Sequence, residues 1–167
     1  MIEKLAVLCA GNICRSPMAF GLLGSRPELA GTGLSSAGLM AEVGASPSPE
    51  AIRLLASRGI DIRSHRARQA TAGLLRAQDL IFVMEHWQRE WIGARWPFLI
   101  GRVYLIGHWG GYEIDDPYGR PVRDYERALA RIEQGIGDWL PHLMKRAPAS
   151  TPPREGREDG GDGLGEP

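Results

Sequence analysis

The chain has 167 residues, which is enough for one domain with a sizeable hydrophobic core. Its 20 basic and 20 acidic residues balance to a formal net charge of zero, which does not favour nucleic acid or a membrane surface as a partner. No apolar run is long enough to span a bilayer, and the N-terminus leads into a predicted strand without the layout of a signal peptide. The two cysteines, Cys9 and Cys14, are too few and too close together for a secreted disulfide framework. We therefore expect a cytoplasmic protein with a reactive thiol and no membrane insertion.

Short apolar runs predict strands along the chain, and amphipathic runs predict helices. The apolar run at 79–84 is typical of a strand in a parallel sheet that is covered on both faces. A Ser-Pro-Glu sequence at 48–50 predicts a helix N-terminus with Ser48 as its cap. The predicted strands lie at residues 5–8, 33–38, 79–84 and 102–106, and a glycine-rich loop follows at 107–111. The predicted helices lie at residues 17–23, 49–58, 71–77, 85–96 and 122–146. This alternation predicts an α/β fold with a parallel sheet.

The last part of the chain, residues 147–167, differs in composition from the rest. It is rich in glycine, proline and charged residues and contains almost no large apolar side chains. Such a segment cannot bury enough apolar surface to offset its ordering entropy. We expect a disordered tail at 147–167 and a folded domain at 1–146.

The stretch from Val7 to Pro17 joins the first predicted strand to the first predicted helix. Backbone N–H groups and the positive end of a helix dipole meet at such a junction and attract anions. Cys9 and Arg15 are separated by five residues. The dipole and Arg15 favour the thiolate of Cys9, and a guanidinium can hold two oxygens of a tetrahedral oxyanion. The stretch predicts a phosphate-binding loop with a nucleophile at its base.

The residues around this pair strengthen the prediction, because neither the spacing nor a lone cysteine is specific alone. A lone cysteine is more often a small buried hydrophobic residue. Gly11 and Asn12, however, can adopt left-handed conformations that turn N–H groups inward. Ser16 can either cap the helix or donate a hydrogen bond to a thiolate.

Cleavage of a phosphate ester by a thiolate needs a proton for the leaving oxygen, so an acid must lie above the loop. The sequence Asp115-Asp116-Pro117-Tyr118 follows the last predicted strand, at the same edge of the sheet. Either aspartate could supply the proton, and Asp-Pro is also common in ordinary surface turns.

The residues quoted at 7–17 resemble the phosphate-binding loop of the low-molecular-weight protein tyrosine phosphatases, including the Gly-Asn pair and the Cys-Arg-Ser-Pro ending. The resemblance extends from Leu5 to the end of the last predicted helix. It implies a single three-layer α/β domain with a four-stranded, twisted parallel sheet and helices on both faces. It also implies that no metal or cofactor takes part.

The resemblance assigns roles to individual residues. Cys9 would be the nucleophile, Arg15 would bind the phosphate, and Asp116, which immediately precedes proline in an Asp-Pro-Tyr sequence, would be the general acid and later the base. Met40 and Tyr118 would line the substrate cleft. The residues implied to bind phosphate or to support the loop are Ala10, Gly11, Asn12, Ile13, Cys14, Ser16, Ser36 and His65. In this family a cysteine at the position of Cys14 can also form a reversible disulfide with the nucleophile, although Cys14 could equally be a small loop residue.

Within the family, Gly107-His108-Trp109 followed by Glu113-Ile114 is similar to bacterial members paired with capsule or exopolysaccharide kinases. This similarity implies a tyrosine-phosphorylated autokinase as substrate and a monomer or weak dimer. Two departures bear on substrate preference. The loop at 39–43 lacks the cleft aromatic residue of animal-type members, and Gly119 stands where those members often have a second tyrosine.

Two other functions are compatible with the same loop. A thiol-dependent arsenate reductase on this fold would need further cysteines downstream, and the sequence has none after Cys14. A non-catalytic module that binds phosphotyrosine or another oxyanion would have no use for Asp116. Both are weaker hypotheses than a protein-tyrosine-phosphatase.

Overall fold

Four parallel strands form the centre of the computed structural model, which describes residues 2–144. The predicted tail at 147–167 lies outside the described residues. The strands are β1 (Lys4–Cys9), β2 (Gly33–Gly38), β3 (Leu80–Val83) and β4 (Val103–Leu105). They are arranged in the order β2-β1-β3-β4, and all neighbouring pairs are parallel. Each predicted strand is therefore present.

Five α-helices connect and cover these strands. They are α1 (Arg15–Gly24), α2 (Pro49–Ala56), α3 (Ala72–Arg76), α4 (His86–Arg95) and α5 (Val122–Leu143). Short 3-10 helices occur at Pro27–Leu29, Pro97–Arg102 and His108–Gly110. The last of these lies within the stretch that was predicted as a glycine-rich loop. The predicted helices are confirmed, with ends that differ by a few residues.

Hydrophobic side chains are buried on both faces of the sheet. Along β1, Leu5, Val7 and Cys9 pack into one core cluster, whereas Ala6 and Leu8 pack into a second cluster. The first cluster contains buried residues of α1, α2 and α5, and the second contains buried residues of α3 and α4. This alternation confirms the predicted three-layer α/β architecture. Among residues 2–144, no helix is long and apolar enough to cross a membrane.

The strand order places the end of β1 at a topological switch point. The chain leaves β1 towards β2 on one side, while β3 and β4 lie on the other side of β1. In open parallel sheets, ligands bind in the crevice outside the carboxyl ends of strands at this point. Cys9, the last residue of β1, occupies this position.

Candidate active site

The loop after β1 is shaped by one residue with a left-handed backbone. Asn12 has a φ of 59° and is the only non-glycine residue with positive φ among those described. Gly11, also expected to be left-handed, is not in this conformation. The turn at Asn12 directs its backbone N–H towards Cys9 Sγ, at 3.2 Å. The loop thus brings a hydrogen-bond donor to the thiol of a residue that is 3% exposed.

Ser16 provides a second contact to the same sulfur atom. Its Oγ lies 3.0 Å from Cys9 Sγ and accepts a 2.8 Å hydrogen bond from Asn12 Nδ2. Because the amide can only donate in that bond, the Ser16 hydroxyl proton is free to point at the sulfur. Of the two roles predicted for Ser16, this is the one its contacts match. The cap position of α1 is occupied by Cys14, without a side-chain hydrogen bond.

Asn12 is itself held by the neighbouring segments. Its Nδ2 donates to Ser36 Oγ at 2.7 Å, and its Oδ1 accepts from the backbone N–H of Arg68 at 3.0 Å. The Asn12 carbonyl oxygen lies 3.0 Å from His65 Nε2. Every polar group of the fully buried Asn12 side chain is therefore satisfied, which fixes the loop conformation.

His65 contributes to this network as a neutral ring. Burial lowers the pKa of His65, the hydrogen bond to Asn12 raises it, and the nearby Arg68 and Arg66 lower it again, with a net downward shift. A neutral imidazole can still donate one N–H to the Asn12 carbonyl oxygen. The support of the loop thus does not require a charged His65.

Gly38, the last residue of β2, lies directly against the loop. A Cβ atom at this position would be 2.6 Å from the carbonyl oxygen of Ala10. Only glycine allows the end of β2 to approach the loop so closely.

Arg15 is the most deeply buried charged residue near the loop, at 1% exposure. Its Nη1 donates to Glu85 and, at 2.7 Å, to the carbonyl oxygen of Ile114. Its Nη2 lies 3.5 Å from Asp116 Oδ2, and its Nε is buried without a hydrogen-bond partner among residues 2–144. One side of the guanidinium is therefore anchored, while the Nε–Nη2 edge is available to a planar or tetrahedral oxyanion.

Asp116 and Asp115 differ in what they face. Asp116 Oδ1 accepts a 3.1 Å hydrogen bond from the backbone N–H of Tyr118, which leaves Oδ2 directed at Arg15. Asp115 does not line the space above Cys9 but contributes to a separate cavity beside Arg120 and α5. Position thus distinguishes two aspartates that the sequence left as rivals.

A cavity of about 230 Å³ lies above Cys9. Met40 and Tyr118 both line this cavity, and both side chains are well exposed, at 59% and 60%. Glu42 is an additional acidic residue in its wall. The predicted residues that line this cavity are Cys9, Ala10, Gly11, Ile13, Cys14, Arg15, Met40, Asp116 and Tyr118. The predicted support residues Asn12, Ser16, Ser36 and His65 do not line this cavity.

Cys14 lies at the far end of the loop and faces α2 and α5. Its thiol is 3.5 Å from both Ser48 Oγ and Tyr125 Oη. Burial raises the pKa of Cys14, which opposes ionisation of this second thiol. Ser48 is the N-cap residue of α2, as predicted, but its hydroxyl contacts Cys14 and makes no side-chain cap hydrogen bond. Cys9 and Cys14 are both free thiols, and the reversible disulfide stays a prediction.

Besides Glu42, three further residues that contact the site were not predicted from the sequence as site residues. Glu85 anchors Arg15, Arg68 holds Asn12 and donates from Nε to the Ser36 carbonyl oxygen at 2.9 Å, and Gln69 binds the Met40 loop through Leu39 and Ala41. Glu85 lies two residues after the end of β3 and directly after the predicted strand at 79–84, at the edge where the other site residues gather. A polar residue immediately after a buried strand is the only signal that could have indicated it.

A parallel α/β sheet with a cysteine–arginine loop at its switch point is typical of cysteine-dependent phosphatases. The profile of the family described as "Low molecular weight phosphotyrosine protein phosphatase" matches residues 4–149. The chain belongs to this family, a family of protein-tyrosine-phosphatases, and the predicted family is confirmed.

Known bacterial relatives agree with this assignment. The chain is 43% identical over 143 residues to the "Probable low molecular weight protein-tyrosine-phosphatase EpsP" of Ralstonia solanacearum, covering 86% of this chain and 97% of that protein. The structure of the tyrosine phosphatase AmsI of Erwinia amylovora is similar with a TM-score of 0.82 and 34% identity, covering 87% of this chain and 95% of that one. The structure of the tyrosine phosphatase Wzb of Escherichia coli K30 in complex with sulphate is similar with a TM-score of 0.80 and 34% identity, covering 86% of this chain and 99% of that one.

Proposed function

We propose that this protein hydrolyses phosphotyrosine through a cysteinyl-phosphate intermediate, with Cys9, Arg15 and Asp116 as catalytic residues. The observation that carries the proposal is the arrangement of three groups around one cavity. They are a hydrogen-bonded thiol, a buried guanidinium whose Nε has no hydrogen-bond partner among residues 2–144, and a carboxylate oxygen that faces Nη2 of the same guanidinium. An oxyanion bound to the guanidinium would lie between the thiol and the carboxyl group.

In the first step the Cys9 thiolate attacks phosphorus and the bond between phosphorus and the tyrosyl oxygen breaks. Asp116 donates its proton to the departing oxygen. In the second step a water molecule attacks the phosphorus, Asp116 accepts its proton, and the thiolate leaves as inorganic phosphate forms. Arg15 and the loop N–H groups stabilise the equatorial oxygens in both transition states. Ser16 and the Asn12 N–H, both directed at Cys9 Sγ, support the thiolate as nucleophile and as leaving group.

The remaining predicted residues have supporting roles in this proposal. Ala10, Gly11, Ile13 and Cys14 would contribute to phosphate binding through the loop, and Asn12, Ser36 and His65 would keep the loop in shape. Met40 and Tyr118, exposed at the cavity mouth, would contact the phenyl ring and neighbouring residues of the substrate.

The proposed substrate is a tyrosine-phosphorylated autokinase of capsule or exopolysaccharide export, encountered in the cytoplasm by a monomer or weak dimer. The Gly-His-Trp sequence at 107–109 and the Glu-Ile pair at 113–114 support this choice through their similarity to bacterial members of the family. The bound sulphate of the related Wzb structure supports an oxyanion in the cavity.

The two alternative functions, arsenate reduction and oxyanion binding without catalysis, have less support. Arsenate reduction by cysteine relay needs a further thiol, and no cysteine follows Cys14 in the sequence. A binding module would not need Asp116 Oδ2 directed at Arg15.

The test compares wild type with Cys9→Ser, Asp116→Asn and the matched control Asp115→Asn. Two substrates are used in the presence of a chelator: p-nitrophenyl phosphate, whose leaving group departs without much help, and a phosphotyrosine peptide, which needs a proton. We expect no turnover by Cys9→Ser and near wild-type rates for Asp115→Asn. We expect Asp116→Asn to lose about 10²- to 10⁴-fold on the peptide and less on p-nitrophenyl phosphate.

Equal losses for the two aspartate variants would contradict the assignment of the acid. An inactive wild type that still binds vanadate would favour the binding module.

A further inference from the structure

A second and larger cavity adjoins the residues that contact Asn12 of the phosphate-binding loop, and Cys9 does not line it. It has a volume of about 620 Å³, which is within the range of small-molecule sites. It is bounded by α1, the start of β2 and the segment at 59–68. Its apolar wall is formed by Phe20, Leu34, Ile60 and Ile62. The reaction proposed above does not use this space.

Three residues of the cavity wall are the residues that hold Asn12. Ser36, His65 and Arg68 all line the cavity. Ser36 Oγ and the Arg68 N–H bind the Asn12 side chain at 2.7 and 3.0 Å, and His65 Nε2 lies 3.0 Å from the Asn12 carbonyl oxygen. The Asn12 N–H is in turn 3.2 Å from Cys9 Sγ. A ligand that contacts these side chains is thus separated from the nucleophile by one residue.

The charge of the wall favours an anion. Arg66 and Arg68 contribute two guanidinium groups, and the Arg66 side chain is exposed at the rim. The acidic residue of the wall, Asp61, is engaged by Arg63 through both carboxylate oxygens, at 2.9 and 2.8 Å. The negative charge of Asp61 is therefore matched locally, and the cavity keeps the positive charge of the two arginines.

Arg66 and Arg68 have N–H groups left to donate hydrogen bonds to such an anion. Arg68 donates from Nε to the Ser36 carbonyl oxygen, and Arg66 donates from Nη1 to the carbonyl oxygens of Arg63 and His65. A guanidinium has five N–H groups, so each arginine keeps several that these bonds with residues 2–144 do not use. An apolar floor with guanidinium groups at one side is suited to a flat apolar body that carries one negative group.

We propose that this cavity binds an aromatic anion, a flat apolar molecule with a carboxylate, sulfonate or phosphate group, and that its occupancy changes the rate of the reaction at Cys9. The apolar body lies on Phe20, Leu34 and Ile62, and the anionic group pairs with Arg66 and Arg68. The effect reaches the loop through Ser36, His65 and the Asn12 backbone.

The binding test uses 1-anilinonaphthalene-8-sulfonate, an aromatic sulfonate whose fluorescence rises in apolar surroundings. Saturating inorganic phosphate is present, so that the sulfonate cannot report on the cavity above Cys9. Gly24→Phe fills the cavity from α1, where a Cβ atom meets nothing nearer than Leu34 Cδ1 at 3.9 Å. Arg66→Glu reverses the charge of the rim. Arg53→Glu is the matched control, because this exposed arginine of α2 is not in the wall.

We expect one sulfonate bound per chain, with Kd about tenfold higher or more in Gly24→Phe and in Arg66→Glu and unchanged in Arg53→Glu. Urea unfolding of each variant verifies that it is folded. Binding that persists in both cavity variants, or that phosphate abolishes in wild type, would overturn the proposed site.

The coupling is tested separately by p-nitrophenyl phosphate hydrolysis at increasing sulfonate. We expect kcat to change in wild type and in Arg53→Glu and to stay constant in Gly24→Phe. A wild-type kcat that is constant at saturating sulfonate would overturn the coupling. A sulfonate effect on KM alone, removed by excess substrate, would assign the sulfonate to the cavity above Cys9 and overturn the proposed site.

Discussion

Glu85 is the residue that positions the guanidinium of Arg15. Arg15 is almost completely buried, and its Nη1 is fixed by the Glu85 carboxylate and the Ile114 carbonyl oxygen. A buried cation without its carboxylate partner rotates towards whatever acceptors remain, so its free edge no longer faces the space above Cys9. The effect of Glu85 on catalysis is thus exerted through Arg15.

We expect Glu85→Gln to lower kcat/KM for a phosphotyrosine peptide by roughly 10- to 100-fold, the value of a charge-assisted hydrogen bond. Vanadate affinity should fall in parallel, because both depend on the orientation of Arg15. Glu90→Gln, which changes an exposed residue of α4, is the control and should leave both kcat/KM and vanadate affinity unchanged. Wild-type vanadate binding by Glu85→Gln would contradict this role.

His65 predicts a pH dependence of stability. Its pKa is lower in the folded protein than in the unfolded chain, mainly through burial. Below the ordinary value of about 6.5 the unfolded chain therefore binds more protons, so the free energy of unfolding falls as the pH is lowered from about 7 to about 5. His65→Gln removes this contribution, and its stability should decline less over the same range. Urea unfolding at several pH values measures the difference, and parallel curves for the two proteins would contradict the prediction.

The residues that the sequence predicted well are those joined by local spacing. Cys9, Arg15 and Ser16 belong to one strand–loop–helix junction, whose geometry follows from a short stretch of chain. Glu85 escaped prediction because its partner Arg15 is 70 positions away, and nothing near Glu85 identifies that partner. Ser48 occupies the predicted N-cap position of α2, but the local sequence could not show that its hydroxyl contacts Cys14, which is 34 positions away. Tertiary contacts, which one sequence does not display, decide such cases.

At the scale of elements, α5 packs against the sheet through a glycine. A Cβ atom at Gly135 would lie 2.5 Å from the carbonyl oxygen of Ile106, just beyond β4. The helix therefore approaches the backbone more closely than any other residue allows. Gly137, two positions further along the same helix, is exposed, and a Cβ atom there would meet no other atom within 4 Å among residues 2–144.

This pair of glycines gives opposite predictions for the same substitution. Gly135→Ala forces α5 away from Ile106 and should lower the free energy of unfolding by roughly 1–3 kcal/mol. Gly137→Ala replaces a flexible residue by the best helix former and should raise it by about 0.5–1 kcal/mol. Urea unfolding of the two variants measures both values. A Gly135→Ala variant as stable as Gly137→Ala would show that the helix can move without cost.

The sequence predicted the buried side of α5 because its apolar residues recur with the helical period. The apolar residues that follow this period are Tyr125, Ala128, Leu129, Ile132, Ile136, Leu140 and Leu143. All of them are buried except Leu140, which is half-buried. Gly135 and Trp139 are also buried but were absent from that set. Glycine has no side chain to mark a face, and Trp139 is placed by aromatic neighbours from another element, His108 and Trp109. Periodicity therefore predicts which side of a helix faces the core and misses the positions where backbones meet.

At the scale of the whole molecule, we propose that the folded domain comprises residues 1–146. Beyond that position the sequence contains one large apolar side chain, Leu164, and no aromatic residue. A chain that ends at residue 146 should keep its free energy of unfolding within about 0.5 kcal/mol of the full chain. Its kcat/KM for p-nitrophenyl phosphate should be unchanged. A large loss of either quantity would assign a structural or catalytic role to the tail.

The gathering of the site at one edge of the sheet has a consequence for how the protein could be divided. A break between α3 and β3 would leave Cys9, Arg15, Ser36 and His65 in one half, and Glu85 and Asp116 in the other. Each half would contain two of the four strands, and within the sheet, ordered β2-β1-β3-β4, the halves pair only between β1 and β3. Outside the sheet, α5 of the second half packs with α1 and α2 of the first half. Neither half alone holds both the nucleophile and the proposed acid. We expect two such fragments to complement each other, so that phosphate release from p-nitrophenyl phosphate reports the pairing of β1 with β3.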